Sequence, residues 1–304
     1  MVLAREQLEE WSERGDFLQA AHTYETIKEA LTSAALEDCE YEIFCQGSYA
    51  GKTNIVGDSD VDVVIALKDP FYANTDRLPP VQKEKYLKLH ESSTRTWEWF
   101  RGRVIPVLQE RFFGVQVRNK CVEVPAKALA LKADVLISLD FHLYTLFHDH
   151  LHRYFEGGIE FHNGRTRVVN YPMQHRHNGE IKDLLCGGVF KPVVRIAKNA
   201  RNRLVEDERS SVVKKGAPSY FVECLFYNVP NLCYIGCREP DAYRNAVVWL
   251  WENPMSRSDM LCQNRMTSLF GGTAETSWNL DDARLLVNGL YVQLTDHDGP
   301  GGMA

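Results

Sequence analysis

No stretch of this chain is apolar for long enough to cross a bilayer, and Met1 to Glu10 is charged where a secretion signal needs an apolar core. A soluble, cytoplasmic protein without a membrane partner is expected. Positive charge is also scarce, with 35 Lys and Arg against 41 Asp and Glu and a formal net charge of −6. A broad, sequence-independent nucleic-acid surface needs the opposite excess, so no stable DNA or RNA partner is expected and any polyanion must be met locally. There is no internal repeat or low-complexity tract, which excludes solenoids and arrays. Eight cysteines are present, but no second Cys/His pair with zinc-ligand spacing follows Cys233 and Cys237. Free, buried thiols are expected rather than disulfides or a zinc site. His148, His150 and His152 alternate in HDHLH, and a solvated loop or helix end explains them better than a ligand set.

At 304 residues and 44% hydrophobic content the chain can bury a large core, as one large domain or as two lobes. Its opening is helical by pattern, with Leu8 and Trp11, then Phe17, Ala20, Ala21, Tyr24, Ile27 and Leu31 at spacings of three and four. Tyr41 to Gln46 predicts a strand and Val61 to Leu67 the next. Residues 69–80 (DPFYANTDRLPP) predict a loop, and 81–113 a charged helical stretch interrupted near Gly102 and Pro106. Strand patterns follow at Val115 to Val124, Ala133 to Leu139 and Thr166 to Asn170; beyond Tyr171 the patterns turn helical. The expected fold is α+β: a catalytic lobe over 1–170 with a small mixed sheet and an N-terminal helix, a helical lobe over 171–295 packing across the site, and a flexible tail over 296–304.

The chemistry is concentrated in GSYAGKTNIVGDSDVDVV, residues 47–64. Gly47 and Ser48 leave the end of the first strand, where their backbone N–H groups are free to cradle phosphate oxygens. Asp60 and Asp62 stand two apart at the start of the next strand, so both point to one face while Val61 and Val63 point to the other. Carboxylates roughly 6–7 Å apart along a strand suit a two-metal site of Mg2+ or Mn2+ that takes further ligands from substrate phosphates. A third carboxylate is needed. Asp134 in KADVLIS is an isolated acid inside an apolar run, where an unpaired charge is costly to bury. The alternative for Asp58, Asp60 and Asp62 is a solvated acidic turn; Gly-Ser upstream and Asp134 downstream weigh against it. In FKPVVRIAKNARNRL, Pro192 suits a first helical turn, and Lys191, Arg195 and Lys198 share one stripe at i, i+4 and i+7. That stripe suits a triphosphate, or it is a solvated helix face.

These residues resemble the DNA polymerase β-like nucleotidyltransferases, and within them the cyclic GMP–AMP synthase-like enzymes of bacterial anti-phage signalling. The motif is Gly47-Ser48, Lys52-Thr53, Asp58-Ser59-Asp60-Val61-Asp62 and Ala133-Asp134-Val135. The resemblance continues through NYPMQHRHNGEIKD (170–183), FKPVVRIAKNARNRL (190–204) and APSYFVECLFYNVP (217–230). It implies a polymerase β-like core, two metal ions on Asp60, Asp62 and Asp134, and ribonucleoside triphosphates, ATP and UTP, as substrates. It also implies a cyclic di- or trinucleotide product, and it admits defence-system regulatory proteins as partners. Lys198 first and Lys191 second are the implied triphosphate lysines. Ser219 is implied to contact phosphate, and Tyr220 to stack on a base, although Tyr220, Phe221 and Leu225 also fit the apolar face of a core helix. Asn170 matches the position from which the family reads a base, and Asn can satisfy a uracil edge where purine-preferring members tend to carry Ser. A turn before Pro172 explains the same Asn. The zinc insertion of the animal enzyme is absent, so the resemblance does not extend to DNA sensing. A linear oligonucleotide synthase and an inactive nucleotide- or partner-binding module remain as alternatives.

Overall fold

The computed structural model describes residues 2–32, 34–57, 60–206, 217–253, 255, 260–272 and 277–295. Asp58, Ser59 and the 296–304 tail lie outside them. The elements are α1 (Arg5–Ser12), α2 (Leu18–Leu31), β1 (Glu40–Gln46), α3 (Gly47–Gly51), β2 (Asp60–Asn74), α4 (Pro80–Leu89), α5 (Trp97–Arg111), β3 (Gln116–Val117) and β4 (Val122–Val124). Then come β5 (Lys132–Phe147), β6 (Arg153–Asn163), β7 (Thr166–Asn170), α6 (Pro172–Leu185), α7 (Phe190–Glu206), α8 (Ser219–Tyr227), α9 (Glu239–Glu252) and α10 (Leu280–Val292). Contacts divide the chain into a sheet unit, Phe17–Gly47 with Ser59–Pro172, and a helical unit, Met1–Asp16 with Ser48–Asp58 and Met173–Ala304. By these contacts α1 and the segment after Gly47 group with the helical residues.

The sheet unit carries a mixed seven-stranded sheet. β2 pairs antiparallel with β1 and parallel with β5; the first part of β5 takes β4 on its other side and the rest takes β6, which pairs with β7. Alternation is strict at the start of β2 and β5, where Val61, Val63, Ala133 and Val135 are fully buried and Asp60, Asp62, Lys132 and Asp134 are only partly so. The two long strands outrun the sequence expectation. Residues 69–74 are strand rather than loop: pairing with β5 slips between Leu67 and Tyr72, which accommodates Pro70 without a ladder donor, and resumes at Tyr72↔Phe141. β6 was not predicted, because Gly157 and Gly158 and its charged residues hide its period. Gly158 has a specific reason to be there: a side chain would strike Asn170 O, at 2.7 Å, and the Tyr171 ring.

The helix break in 81–113 also falls elsewhere. α5 runs through Gly102 and Pro106, and the interruption lies before Thr96, whose side chain caps α5 by accepting from Trp99 N–H at 3.3 Å. A helical proline crowds the carbonyl four residues back, which here belongs to Gly102, the residue with most freedom to adjust.

In the helical unit one apolar cluster gathers Leu8 of α1, Val193, Ala197 and Ala200 of α7, Phe221, Leu225 and Phe226 of α8, Val247 and Leu250 of α9, and Leu286 and Leu290 of α10. Phe221 and Leu225 are core residues, as their helical spacing implies. All eight cysteines are free thiols. No helix among the described residues is long and apolar enough to cross a membrane.

Candidate active site

The sheet register lays the acidic residues side by side. Gln46 of β1 is the Cα partner of Asp62, Asp62 of Asp134, and Asp134 of Glu123 on β4, so one row crosses four strands. One step along, Asp60 partners Lys132. Because alternate residues share a face, Asp60, Asp62, Asp134, Glu123 and Lys132 stand on the same side of the sheet. The Lys132 ammonium lies 2.9 Å from Asp60, 3.7 Å from Glu123 and 3.9 Å from Asp134. Burial raises the Asp134 carboxyl above the ordinary carboxylate value; Lys132 opposes that, while Asp60 and Glu123 add to it. The Lys132 ammonium is itself raised: burial pulls it down, but the Asp60 hydrogen bond and the charges of Asp134, Asp60 and Glu123 outweigh that.

Gly47 closes the same row. Its φ of +69° is a left-handed conformation, and an added side chain would collide with Asp62 Oδ2. Only glycine lets β1 turn into α3 so near that carboxylate. Ser48, next in α3, belongs to the helical unit. The first N–H groups of such a turn have no intrahelical acceptor.

Several features fit a divalent cation on these residues. Among the described residues Asp134 Oδ1 is buried and lacks a hydrogen-bond donor, the donor set is all carboxylate, and a lysine ammonium already stands as a cation among three acids. The side chains as oriented do not form a finished cage: among the described residues no three His, Cys, Asp or Glu converge tightly enough to hold one ion. Asp60 is instead drawn to Lys132.

The predicted stripe of α7 divides by environment. Lys198 is fully buried and donates to Thr53 O at 3.0 Å, Thr53 Oγ1 at 3.2 Å and Glu223 Oε1 at 2.6 Å. All three ammonium protons are therefore committed to protein oxygens. Glu223 of α8 also accepts from Thr53 Oγ1 at 2.7 Å and pairs with His175 Nε2 at 2.8 Å. Arg195 donates to Ser12 O and Lys52 O. Lys191 is buried, yet among the described residues its ammonium has no protein acceptor; burial lowers it, Asp183 and Glu180 raise it, and Lys52 and Arg14 lower it further. Lys52 itself has a φ of +60°. Within the helical unit, Lys191 rather than Lys198 carries the uncommitted charge. Glu223 and His175 went unnoticed in the sequence; Glu223 sits at the i+4 position from Ser219 on an apolar helix, a buried acid that demands a cation.

Ser219 is the first residue of α8, after Pro218. The Tyr220 ring stacks with His175 at 4.6 Å and with Trp278 at 5.5 Å, and its hydroxyl accepts from Asn264 Nδ2 at 3.2 Å. Asn170 ends β7, and its Oδ1 accepts the N–H of Tyr171 at 2.8 Å. Its amide nitrogen makes no hydrogen bond among the described residues. The turn explanation and the base-reading expectation therefore use different ends of one amide.

A mixed sheet carrying paired carboxylates after a Gly-Ser turn, in a chain with a helical C-terminal domain, defines a nucleotidyltransferase of the polymerase β-like class. Residues 177–295 match the family of cGAS/DncV-like nucleotidyltransferase C-terminal helical domains. The chain is 34% identical over 285 residues to the cyclic UMP-AMP synthase of Rhodothermus marinus, covering 93% of this chain and 95% of that protein. It is 31% identical over 291 residues to the cyclic nucleotide synthase CdnE01 of Staphylococcus haemolyticus, with 93% and 95% covered. The solved structure of the Rhodothermus marinus CdnE c-UMP-AMP synthase with Apcpp and Upnpp superposes with a TM-score of 0.85 at 32% identity, covering 99% of each chain. The chain belongs to the CD-NTases, the cGAS/DncV-like nucleotidyltransferases.

Proposed function

We propose that this enzyme joins ribonucleoside triphosphates, ATP and UTP among them, into a cyclic di- or trinucleotide that serves as a second messenger in bacterial anti-phage defence. The observation that carries the reading is the register that sets Asp62 beside Asp134, in a chain whose end-to-end likeness is to a cyclic UMP-AMP synthase. Its expected setting is the cytoplasm, with defence-system proteins as regulators. The functional division is a catalytic lobe up to Asn170 and a helical lobe over 171–295, supported by the family match that starts at residue 177.

Asp60, Asp62 and Asp134 would hold two Mg2+ or Mn2+ ions, which when bound stabilise charge on the attacking and leaving oxygens. Asp134 is the base-side carboxylate: its raised affinity for protons suits it to take the proton of a 2′- or 3′-hydroxyl attacking an α-phosphate. That attack forms the new phosphodiester and expels pyrophosphate, and a second round closes the ring. Gly47 and Ser48 offer backbone N–H groups to phosphate, Lys191 an ammonium and Ser219 a hydroxyl. Lys198 acts on the triphosphate through the Lys52-Thr53 segment that it and Glu223 fasten. Tyr220, its ring held by His175 and Trp278, stacks on a base. Asn170 reads uracil with its free Nδ2, donating to O4.

Incubation with all four ribonucleoside triphosphates and Mg2+ or Mn2+, then phosphatase and mass spectrometry, tests this directly. A phosphatase-resistant, uridine-containing product is expected. A product that single-strand nucleases and phosphatase digest completely marks a linear synthase, and absence of pyrophosphate release marks a binding module.

A further inference from the structure

Lys132 is absent from the reaction just described, yet it is the cation around which the acidic row is arranged. Its ammonium contacts Asp60, Glu123 and Asp134, on three different strands. Glu123 is a fourth carboxylate, opposite Asp134 across β4 and β5. Among the described residues, two further positive charges face the group: Arg118, 3.8 Å from Glu123, and Lys120, which acts on Asp134. Three acids thus share one ammonium at close range, and among the described residues Asp134 Oδ1 has no donor. A divalent ion on Asp60, Asp62 and Asp134 would meet that ammonium as a like charge. Since Lys132 already lies within reach of Glu123, a rotation of its side chain is enough to exchange Asp60 for Glu123.

We infer that Lys132 is the internal counter-cation of the carboxylate site in the absence of metal and that Glu123 is the anchor to which its ammonium withdraws when a divalent ion enters. Lys132 is therefore a positioning residue that competes with metal, and Glu123 tunes that competition. The inference rests on the proposed metal reading of Asp60, Asp62 and Asp134. It explains why Asp60 turns toward Lys132 rather than toward its neighbours, and why a lysine is tolerated on the functional face of the sheet.

The test uses Mn2+ alone, with free ion counted by electron paramagnetic resonance, and thermal unfolding of the metal-free protein. Lys132→Gln should tighten Mn2+ binding on the order of tenfold, because a like charge near the ion is gone, while lowering the metal-free melting temperature. Lys132→Arg, which keeps the charge, should stay near wild type in both. Glu123→Gln should weaken Mn2+ binding in the wild-type background and change nothing in Lys132→Gln. Unchanged or weaker Mn2+ binding in Lys132→Gln, alongside loss of binding in Asp62→Asn, overturns the inference and leaves the metal reading standing. If Glu123→Gln weakens binding equally with and without Lys132, Glu123 is itself a ligand and the withdrawal is wrong. Mn2+ binding indifferent to Asp62→Asn overturns the metal reading, and this inference with it.

Discussion

Lys198 in the helical unit is fully buried, with one carboxylate and three donated hydrogen bonds, whereas Lys132 in the sheet unit keeps 29% of its side chain exposed among three carboxylates. The first assembly is satisfied: every ammonium proton has an acceptor, and Glu223 also receives Thr53 and His175. The second is not, since acid outnumbers base and Asp134 Oδ1 has no donor among the described residues. A satisfied buried network fixes structure, and an unsatisfied, partly open one is suited to take up something else. Two lysine–carboxylate clusters in one chain thus differ in local balance, one closed and one open.

The sharpest way to break the comparison is to remove one partner from the closed network. Lys198→Met strands Glu223, and loss of one member of a buried pair costs about 3–5 kcal/mol, read by urea unfolding. Burial alone would raise the Glu223 carboxyl, but the Lys198 charge and the His175 hydrogen bond outweigh it and hold the group far below the carboxylate range. A carboxyl depressed in the folded state contributes stability fully above its unfolded value of about 4.3, and that stability drains as pH falls below it. Lys198→Met should therefore flatten the acid limb of the stability profile. A triphosphate KM increase without loss of stability would show instead that Lys198 contacts substrate directly.

Next in size is the open site. Asp60→Asn or Asp62→Asn should cut product formation by about 100-fold or more, since even outer-sphere changes at metal sites cost 10–100-fold, while the fold survives. Near-wild-type turnover in either variant would end the metal assignment. Asp134→Asn should abolish chemistry yet raise the metal-free melting temperature. The sign follows from its raised carboxyl: such a group favours folding below its unfolded pKa and loses that contribution as pH rises through the folded one, so at neutral pH the ionised form opposes folding.

Lys191→Met probes the uncommitted member of the α7 stripe. Loss of one charged hydrogen bond, about 1.5–3 kcal/mol, should appear as a higher KM for triphosphate, with urea unfolding unchanged. An unaltered KM would return the stripe to a purely structural role.

What the sequence disclosed follows the same divide. The Gly47, Asp60, Asp62 and Asp134 pattern was legible because strand alternation and a short turn fix where such side chains point. The partition of Lys191 from Lys198 was not, because helical spacing gives a face and says nothing of what packs on it. Glu223 supplies that information from 25 residues away. Lys132 was hidden for a related reason: it is adjacent to Asp60 only through the β2–β5 register, a pairing no local pattern encodes. The extension of β2 through Pro70 was obscured because turn-forming residues there coincide with a slip in pairing.

The smallest expected effect concerns Asn170, which stands outside both lysine sites. Its Oδ1 is engaged by the N–H of Tyr171, so only the Nδ2 donor is left to recognise a base. A single neutral hydrogen bond contributes about 1 kcal/mol, roughly a fivefold preference. Uracil O4 accepts from that donor, whereas the corresponding edge of adenine presents its own N6 donors and opposes it. Asn170→Ser keeps an acceptor for the Tyr171 N–H through the serine hydroxyl, shortens the reach and frees space for a purine. The ratio of labelled UMP to AMP in phosphatase-resistant product should fall by that factor, with total turnover little changed. A ratio that stays fixed while stability drops would show that Asn170 only shapes the turn before Pro172, and an all-purine product from the unaltered enzyme would remove uracil recognition while leaving the carboxylate site as described.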